Sequence, residues 1–462
     1  MSMKLLYIAH NHPSVRPGGA EQHALELHRA MAAIPGVESV LLTKGGPPVG
    51  QIDRVHEGTF IAPVGTRADE YFLYTDGYYF DYLNGTTTGK RLYTKHLRAF
   101  LLAMKPDVVH IQHTLFLGYD LIREVRNTLP HAPIVYTLHE YLPICSRDGQ
   151  MIRTGTNELC DHASPSRCHE CFPHITAQAF FLRQRFIQAQ LGLVDLFLAP
   201  SRFLMNKYVE WGIPADKIRF EDYGRSDSRT PLAPAPTRAR TRLGFFGQFS
   251  PYKGIQVLLE AMRLIELERS ENVSGGGTSK RARAVNGQKG DGLPDSGLPR
   301  VTLKLHGANL DLQEGEFKRT FTQLVEETRD SVTLVGKYSQ DQLPGLMREV
   351  DWVVVPSIWW ENSPLVIQEA FMNGRPVICS NVGGMAEKVT DGVNGFHFRV
   401  GDPTSLAATV RKAVQSSGTW EEMRRGIPAI YRLDDQVAKL RGLYGQLLAG
   451  RLTRDEVHAS ID

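Results

Sequence analysis

Thr241-Arg-Leu-Gly-Phe-Phe-Gly-Gln-Phe-Ser-Pro-Tyr-Lys-Gly-Ile255 is the stretch on which the reading of the fold turns. Thr241–Phe249 is a strand-like apolar run, and Lys253-Gly254 is a turn. From Gly254 to Leu267 the residues Ile255, Leu258, Leu259 and Met262 fall on one helical face. Strand, short loop and helix open a βαβ unit. The stretch lies past the middle of a chain of 462 residues, and it restarts a pattern already run once from the N-terminus.

In that first run, Lys4–His10 is strand-like, Asn11–Gly19 is a Pro/Gly loop, and Ala24, Leu27 and Met31 recur at helical spacing. Ser39–Thr43, Asp107–Thr114, Pro133–His139 and Val194–Ser201 are further strand candidates. They are rich in Val, Ile and Leu on both faces, as strands covered by helices on each side should be. After the restart, strands are expected at Val301–Gly307, Val332–Lys337, Trp352–Ser357 and Pro376–Ser380. The fold class is therefore α/β: two Rossmann-like, doubly wound parallel-sheet domains facing a cleft. Residues 1–225 form the first domain, 226–240 a Pro/Ala/Thr/Arg linker and 241–420 the second domain. Within the second, 270–299 is almost free of apolar residues and is expected as a flexible insertion. The helical patterns Trp420–Ile430 and Asp435–Leu448 close the chain, with 421–462 free to cross back to the first domain.

Composition removes several functions. Lys and Arg number 53 against 50 Asp and Glu, too balanced for a general nucleic-acid binder. No run approaches the ~18 apolar residues of a membrane span. Leu5–Ala9 is too short for a secretion signal and reads as a buried first strand. The expectation is a soluble, cytoplasmic protein.

Chemistry gathers in three loops. In Glu361-Asn-Ser-Pro-Leu-Val-Ile-Gln-Glu369, Ser363 is an N-cap type and Pro364 suits the first helical position. The amides of Leu365 and Val366 then face an anion at the positive end of the helix dipole. Glu361 before the helix and Glu369 within it can each accept two hydroxyl hydrogens, which suits diols flanking a diphosphate. The bland alternative is a capped helix with an outward Glu. Gly247-Gln248-Phe-Ser-Pro-Tyr-Lys253 brings an ammonium to a phosphate oxygen without the Gly-x4-Gly-Lys-Ser/Thr pattern of a triphosphate loop. Pro17-Gly18-Gly19-Ala20-Glu21 lets backbone approach a ligand, and it is not a dinucleotide fingerprint.

These loops, with Thr137-Leu-His139-Glu140, Ala199-Pro-Ser201, Val382-Gly383-Gly384 and Asp391-Gly-Val-Asn-Gly395, span nearly the whole chain in order. Together they resemble the retaining glycosyltransferases of family 4, which have the GT-B architecture and a Glu-x7-Glu signature. The resemblance implies a nucleotide-sugar donor (UDP- or GDP-linked) held mostly by the C-terminal domain and an acceptor held mostly by the N-terminal one. It implies that Glu369 binds ribose hydroxyls, Glu361 the donor sugar, and Lys253 the diphosphate, with Gly18-Gly19 and the amides near Leu365 assisting. It places the base near Lys337 and Tyr338 and His139 beside the reacting sugar. Many relatives carry Arg where this chain has Gln248, so Lys253 should bear more of the leaving-group charge. The departing phosphate would take the acceptor proton on the same sugar face, with no cofactor required for catalysis. Surface polysaccharide assembly, with a glycan or lipid-linked acceptor, is the pathway implied. Rival readings are an epimerase or phosphorylase of like architecture, or a non-catalytic sugar-nucleotide-binding subunit.

Cys145, Cys160, Cys168 and Cys171 lie within 27 residues and close in a C-x2-C pair. In a cytosolic chain they suit a structural Zn²⁺, with free thiols as the alternative and His162 and His169 as other ligands. The fifth cysteine, Cys379, reads as core. Around Phe180–Ile187, aromatic and basic residues interleave. That pattern fits an interfacial helix in peripheral membrane contact, or a core helix with its arginines on the wet side.

Overall fold

The computed structural model describes residues 2–16, 18–45, 61–74, 80–87, 92–226, 239–275, 299–313, 315–415 and 417–450. The linker expectation thus lies largely outside the described residues, as does the 276–298 part of the expected insertion. The chain forms two units, Met1–Asp227 with Tyr431–Asp462, and Ser228–Ile430.

The first unit runs β1 (Met3–Ala9), α1 (Gly19–Ala32), β2 (Val37–Gly45), β3 (Ile61–Pro63) and β4 (Glu70–Tyr74). A small ribbon of β5 (Phe80–Asp81) and β6 (Thr86–Thr87) follows, then α2 (Arg98–Met104), β7 (Val108–Ile111), α3 (Asp120–Thr128) and β8 (Ile134–Thr137). The unit continues through α4 (Pro165–Cys171), α5 (Ala177–Leu191), β9 (Leu196–Ala199), α6 (Arg202–Trp211) and β10 (Ile218–Phe220). Its sheet has the order β10-β9-β8-β7-β1-β2-β4-β3, parallel except where β3 meets β4. From β4 to β9 this is the 3-2-1-4-5-6 order of the doubly wound fold, with β10 added at the edge.

The second unit repeats that order. It comprises β11 (Arg242–Gln248), α7 (Ile255–Gly275), β12 (Thr302–Ala308), α8 (Gly315–Glu327), β13 (Val332–Gly336), α9 (Leu343–Arg348) and β14 (Trp352–Val355). Then come α10 (Leu365–Met372), β15 (Val377–Ser380), α11 (Gly383–Lys388), β16 (Gly395–Phe398), α12 (Pro403–Val414) and α13 (Ser417–Arg425). The all-parallel sheet reads β13-β12-β11-β14-β15-β16. Successive side chains of a strand point to opposite faces, and here both faces are core. Leu243, Phe245, Trp352, Val354 and Ile378 pack beneath α7 and α12. Phe246, Val353, Val355, Val377 and Cys379 pack on the other side against α9 and α10. Each such side chain contributes roughly 1.5–3 kcal/mol by burial.

The last helix, α14 (Leu433–Leu448), belongs to the first unit. Leu433, Val437, Leu440 and Tyr444 join the core formed by Leu5 and Tyr7 of β1 and Leu27 and Met31 of α1. The Tyr7 and Tyr444 hydroxyls meet at 3.1 Å.

Two local expectations are corrected. Residues 270–275, expected in the insertion, are the end of α7. Glu266, Glu268, Arg269 and Glu271 are good helix formers that need no core of their own, and Glu268 is held by Arg411 at 2.5 Å. On α5, Arg183 is not on the wet side. It is 4% exposed and donates to the carbonyls of Leu83, Pro143 and Leu142 at 2.6–2.7 Å.

Candidate functional site

In a doubly wound sheet, the loops after the first and fourth strands diverge and open a crevice at the strand ends. In the second unit these are the loops after β11 and β14, and they carry Lys253 and Glu361. Lys253 Nζ reaches Glu361 Oε1 at 2.5 Å. Gly254 makes this approach possible. Its φ is +66°, and a Cβ there would lie 1.8 Å from the Pro356 carbonyl oxygen, so only glycine allows the turn to lie against the end of β14.

Glu361 is buried, and three donors converge on its Oε1. Ser357 Oγ donates at 2.7 Å, Trp359 Nε1 at 2.8 Å and Lys253 at 2.5 Å. Burial raises its pKa, but the Lys253 charge and these bonds outweigh burial and hold the carboxyl below its ordinary value. It is a charged acceptor whose Oε2 receives no hydrogen bond from the described residues. The Lys253 ammonium also lies 5.5 Å from the Trp359 ring centroid. The Glu361 carbonyl accepts from Gly384 N–H at 2.7 Å. A Cβ on Gly384 would sit 1.7 Å from the Asn362 oxygen, which explains the paired glycines of Val382-Gly383-Gly384.

The helix after Glu361 starts one residue later than expected. Pro364 is the N-cap, extended and without a side-chain cap bond, so Ser363 is not the cap. Pro364 fixes its own φ and so sets the entry angle by itself. The Leu365 and Val366 amides still lie in the first turn of α10, and both residues are half-buried. Glu369 is buried farther along the same helix. Its charge acts on Tyr338, whose hydroxyl pKa is raised by burial first and by Glu369 second. Tyr338 and Glu369 are thereby neighbours. Lys337 and Gln248 are exposed at the ends of β13 and β11.

The sequence reading did not single out His306. It lies on β12 opposite Phe246, with its ring stacked on that ring at 4.6 Å and 3°. Tyr338 stands edge-on to both. His306 is fully buried with neither ring nitrogen hydrogen-bonded, and burial lowers its pKa. The signal available in sequence was a lone histidine in an apolar strand, which is ordinarily core.

His139, Gly18 and Gly19 belong to the first unit. Gly18 is extended and caps α1, and Gly19 is its first residue. At the corresponding crevice, His10 follows β1 and pairs with Glu21 at 3.0 Å. His113 follows β7, its ring 4.1 Å from that of His10. His139 follows β8, and its Nε2 meets Gln112 Oε1 at 2.9 Å. An amide oxygen only accepts, so Nε2 carries the proton and Nδ1 accepts from the Tyr223 hydroxyl at 2.6 Å. The Gln112 amide donates in turn to His110 Nε2 at 3.1 Å, and His110 Nδ1 bonds the Tyr444 hydroxyl at 2.6 Å. Burial pushes His23 and His110 down to about 3 and His113 and His139 well below the usual imidazole range. These four imidazoles are neutral at physiological pH. Glu140, 3.4 Å from His113, is pushed up to about 8 chiefly by burial, against the Leu142 N–H and the Arg183 charge. It carries a proton there.

Residues 17–220 match the family Glycosyltransferase Family 4, and residues 240–416 match Glycosyl transferases group 1. Among curated proteins, the chain is 23% identical over 339 residues to a lipopolysaccharide 1,2-N-acetylglucosaminetransferase of Salmonella typhimurium, covering 71% of this chain and 72% of that one. It is 33% identical over 128 residues to a D-inositol 3-phosphate glycosyltransferase of Salinispora tropica, covering 27% of this chain and about a quarter (26%) of that protein. Among solved structures, sucrose-phosphate synthase from Thermosynechococcus elongatus aligns with TM-score 0.67 at 17% identity, over 97% of this chain and 100% of that one. Anabaena HepE in complex with UDP and glucose aligns with TM-score 0.60 at 15% identity, over 96% and 100%. At these identities the structures establish the shared fold. No helix among the described residues is long and apolar enough to cross a membrane.

Proposed function

The chain belongs to the family-4 glycosyltransferases and has the GT-B fold; from that premise we propose that it transfers a sugar from a UDP- or GDP-sugar with retention of anomeric configuration. The observation that carries this reading is the Lys253–Glu361 pair at the crevice of the second unit, beside the first turn of α10. An ammonium and the amides of a helix N-terminus can together stabilise a departing diphosphate by preorganised charge. Glu361 Oε2 accepts donor-sugar hydroxyls while Oε1 stays anchored. Glu369 accepts the ribose hydroxyls, and the base lies by Lys337, Tyr338 and the Phe246–His306 stack.

In the reaction, the bond from the anomeric carbon to the phosphate oxygen breaks. The acceptor oxygen bonds to that carbon on the same face, and its proton passes to the departing phosphate. Lys253 and the amides supply the positive field, so transfer is expected to persist in a chelator of Mg²⁺ and Mn²⁺. His139, held by Gln112 and Tyr223, is a rigid neutral group of the first unit suited to a sugar surface. We assign the acceptor to that unit, with a glycan or lipid-linked acceptor of surface polysaccharide synthesis on the cytoplasmic side as its class. Phe181 and Leu182 on α5, 47% and 65% exposed, with Arg185 against the Phe181 ring, are the peripheral contact to a lipid surface. The silent-subunit reading is disfavoured by an intact Lys253–Glu361 pair.

The test is turnover of a panel of UDP- and GDP-sugars against lipid-linked and free sugar acceptors, with the product anomer assigned by its one-bond C–H coupling. A product with the donor's anomeric configuration is expected. An inverted product, or tight donor binding with neither transfer nor donor hydrolysis, contradicts the reading.

A further inference from the structure

The loop between His139 and α5 contains the four cysteines, and the donor crevice makes no use of it. Cys145 follows the Tyr141 turn, with its amide bonded to the Tyr141 carbonyl at 2.8 Å. The chain then doubles back as a hairpin, with Ile152 bridged to Leu159 and Arg153 N–H bonded to the Glu158 carbonyl at 2.9 Å. This returns Cys160 to Met151, where its amide donates to the Met151 carbonyl at 2.7 Å. Cys168 and Cys171 stand one turn apart on α4. The hairpin is tied to that helix by Thr154 Oγ1 on the Cys171 carbonyl at 2.7 Å and by Arg153 on Glu170 at 2.5 Å.

Four thiols thus come from three separate pieces of backbone to one neighbourhood. Cys168 lies within electrostatic reach of Cys145, Cys160 and Cys171. The Arg147 and Met151 backbone N–H groups lie near the Cys145 sulfur, placed to support a thiolate ligand. Two guanidiniums flank the group, Arg183 in the field of Cys145 and Cys168, Arg153 in that of Cys160 and Cys171. A divalent ion on four thiolates carries a net charge of about −2, which the nearby guanidiniums offset in part.

We propose that Cys145, Cys160, Cys168 and Cys171 bind one tetrahedral zinc ion that fixes the 145–171 loop to the first unit. Among the described residues, the tightest set of ligand atoms is a different one, His28, Asp69 and Glu70, within 4.8 Å of one another. In that set Glu70 is already bonded by Arg29, Arg67 and His12. The four sulfurs stand farther apart than that set. Metal binding releases the thiol protons to solvent as the ion draws the four sulfurs together.

The test uses the full chain, purified under reducing conditions without chelator. Elemental analysis is expected to find about one zinc per chain, released to a colorimetric indicator when a mercurial titrates the thiols. Replacement by Co²⁺ is expected to give sulfur-to-cobalt charge-transfer absorption and the strong visible bands of a tetrahedral thiolate site. Cys168→Ser is expected to lose the stoichiometric metal; should that variant not fold, the cobalt spectrum of the unaltered chain decides. Protein without stoichiometric metal that gives no cobalt–thiolate absorption overturns the proposal. So does iron with acid-labile sulfide in place of zinc. Neither result touches the donor-site reading, which is tested on the second unit.

Discussion

Glu361 and Glu140 are the same side chain at comparable places in two copies of one topology, yet they hold opposite charge states. Glu361 follows the fourth strand of the second sheet, and burial alone would neutralise it. Lys253, Ser357 and Trp359 reverse that outcome and keep it ionised. Glu140 follows the fifth strand of the first sheet, beside the neutral His113 imidazole, and the Arg183 charge, shared among three carbonyls, does not overcome its burial. Its carboxyl is raised to about 8. The lesson is that a doubly wound fold supplies the crevice and leaves the loop residues to set its charge. One crevice is a charged clamp, and the other is a hydrogen-bonded wall in which four buried imidazoles stay neutral.

Removing the charge from the clamp should have the largest effect. Lys253→Ala is expected to lower turnover by about 10²–10³-fold, the usual loss on deleting one preorganised electrostatic donor. Steady-state kinetics checks this, with circular dichroism to show that the fold survives. Gly254→Ala attacks the same pair through the backbone. Its Cβ would meet the Pro356 oxygen at 1.8 Å in a left-handed conformation, and we expect a loss of roughly 2 kcal/mol or more in denaturant unfolding, together with weaker donor binding.

The pH dependence of stability should separate the two units. In the first, His23, His110, His113 and His139 stay neutral when folded but protonate near 6.5 when unfolded. Each therefore withdraws stability as pH falls below 6.5, by about 1.4 kcal/mol per pH unit. Glu140, raised from 4.5 to about 8, acts oppositely, withdrawing stability as pH rises through that range. Four imidazoles outweigh one carboxyl below 6.5, so the first unit should be most stable near that pH. In the second unit, Glu361 is depressed, so its contribution is present above 4.5 and fades as pH falls through its lowered value. Hydrogen exchange resolved by peptide should show the first unit loosening at milder acidity; simultaneous loosening would remove the distinction. The smallest effect is a gain. Gln248→Arg adds a second cation near the clamp and is expected to tighten nucleoside diphosphate binding by about 1 kcal/mol, a few-fold in Kd, at an exposed position.

Much of this comparison was legible in the sequence, because the strands of both sheets are short apolar runs punctuated by glycine loops. β1, β11, β12 and β14 announce themselves in this way. The Glu361–Glu369 spacing and Lys253-Gly254 name the clamp because local chemistry makes it: a lysine before a left-handed glycine, an acid before a proline-opened helix. The start of α10 was misjudged by one residue, since Ser363 and Pro364 are both favourable cap types and only the backbone geometry chooses between them. The neutral wall was not legible. His23, His110, His113 and Glu140 come from separate strands, a helix and the loops that follow, and their charge states arise from burial that no single stretch encodes. The end of α7 was missed for the opposite reason, since a solvated helical turn leaves no apolar stripe.

The most direct measurement is calorimetric titration of the full chain with UDP, UMP and uridine, and with the matching guanosine series, for the unaltered protein and Lys253→Ala. If the clamp recognises diphosphate, one base series should bind at least about tenfold tighter as the diphosphate than as the monophosphate, a step of roughly 1.4 kcal/mol, and Lys253→Ala should erase that step while leaving nucleoside binding alone. Equal affinity for nucleoside, monophosphate and diphosphate, or a diphosphate step that survives loss of Lys253, would contradict the account.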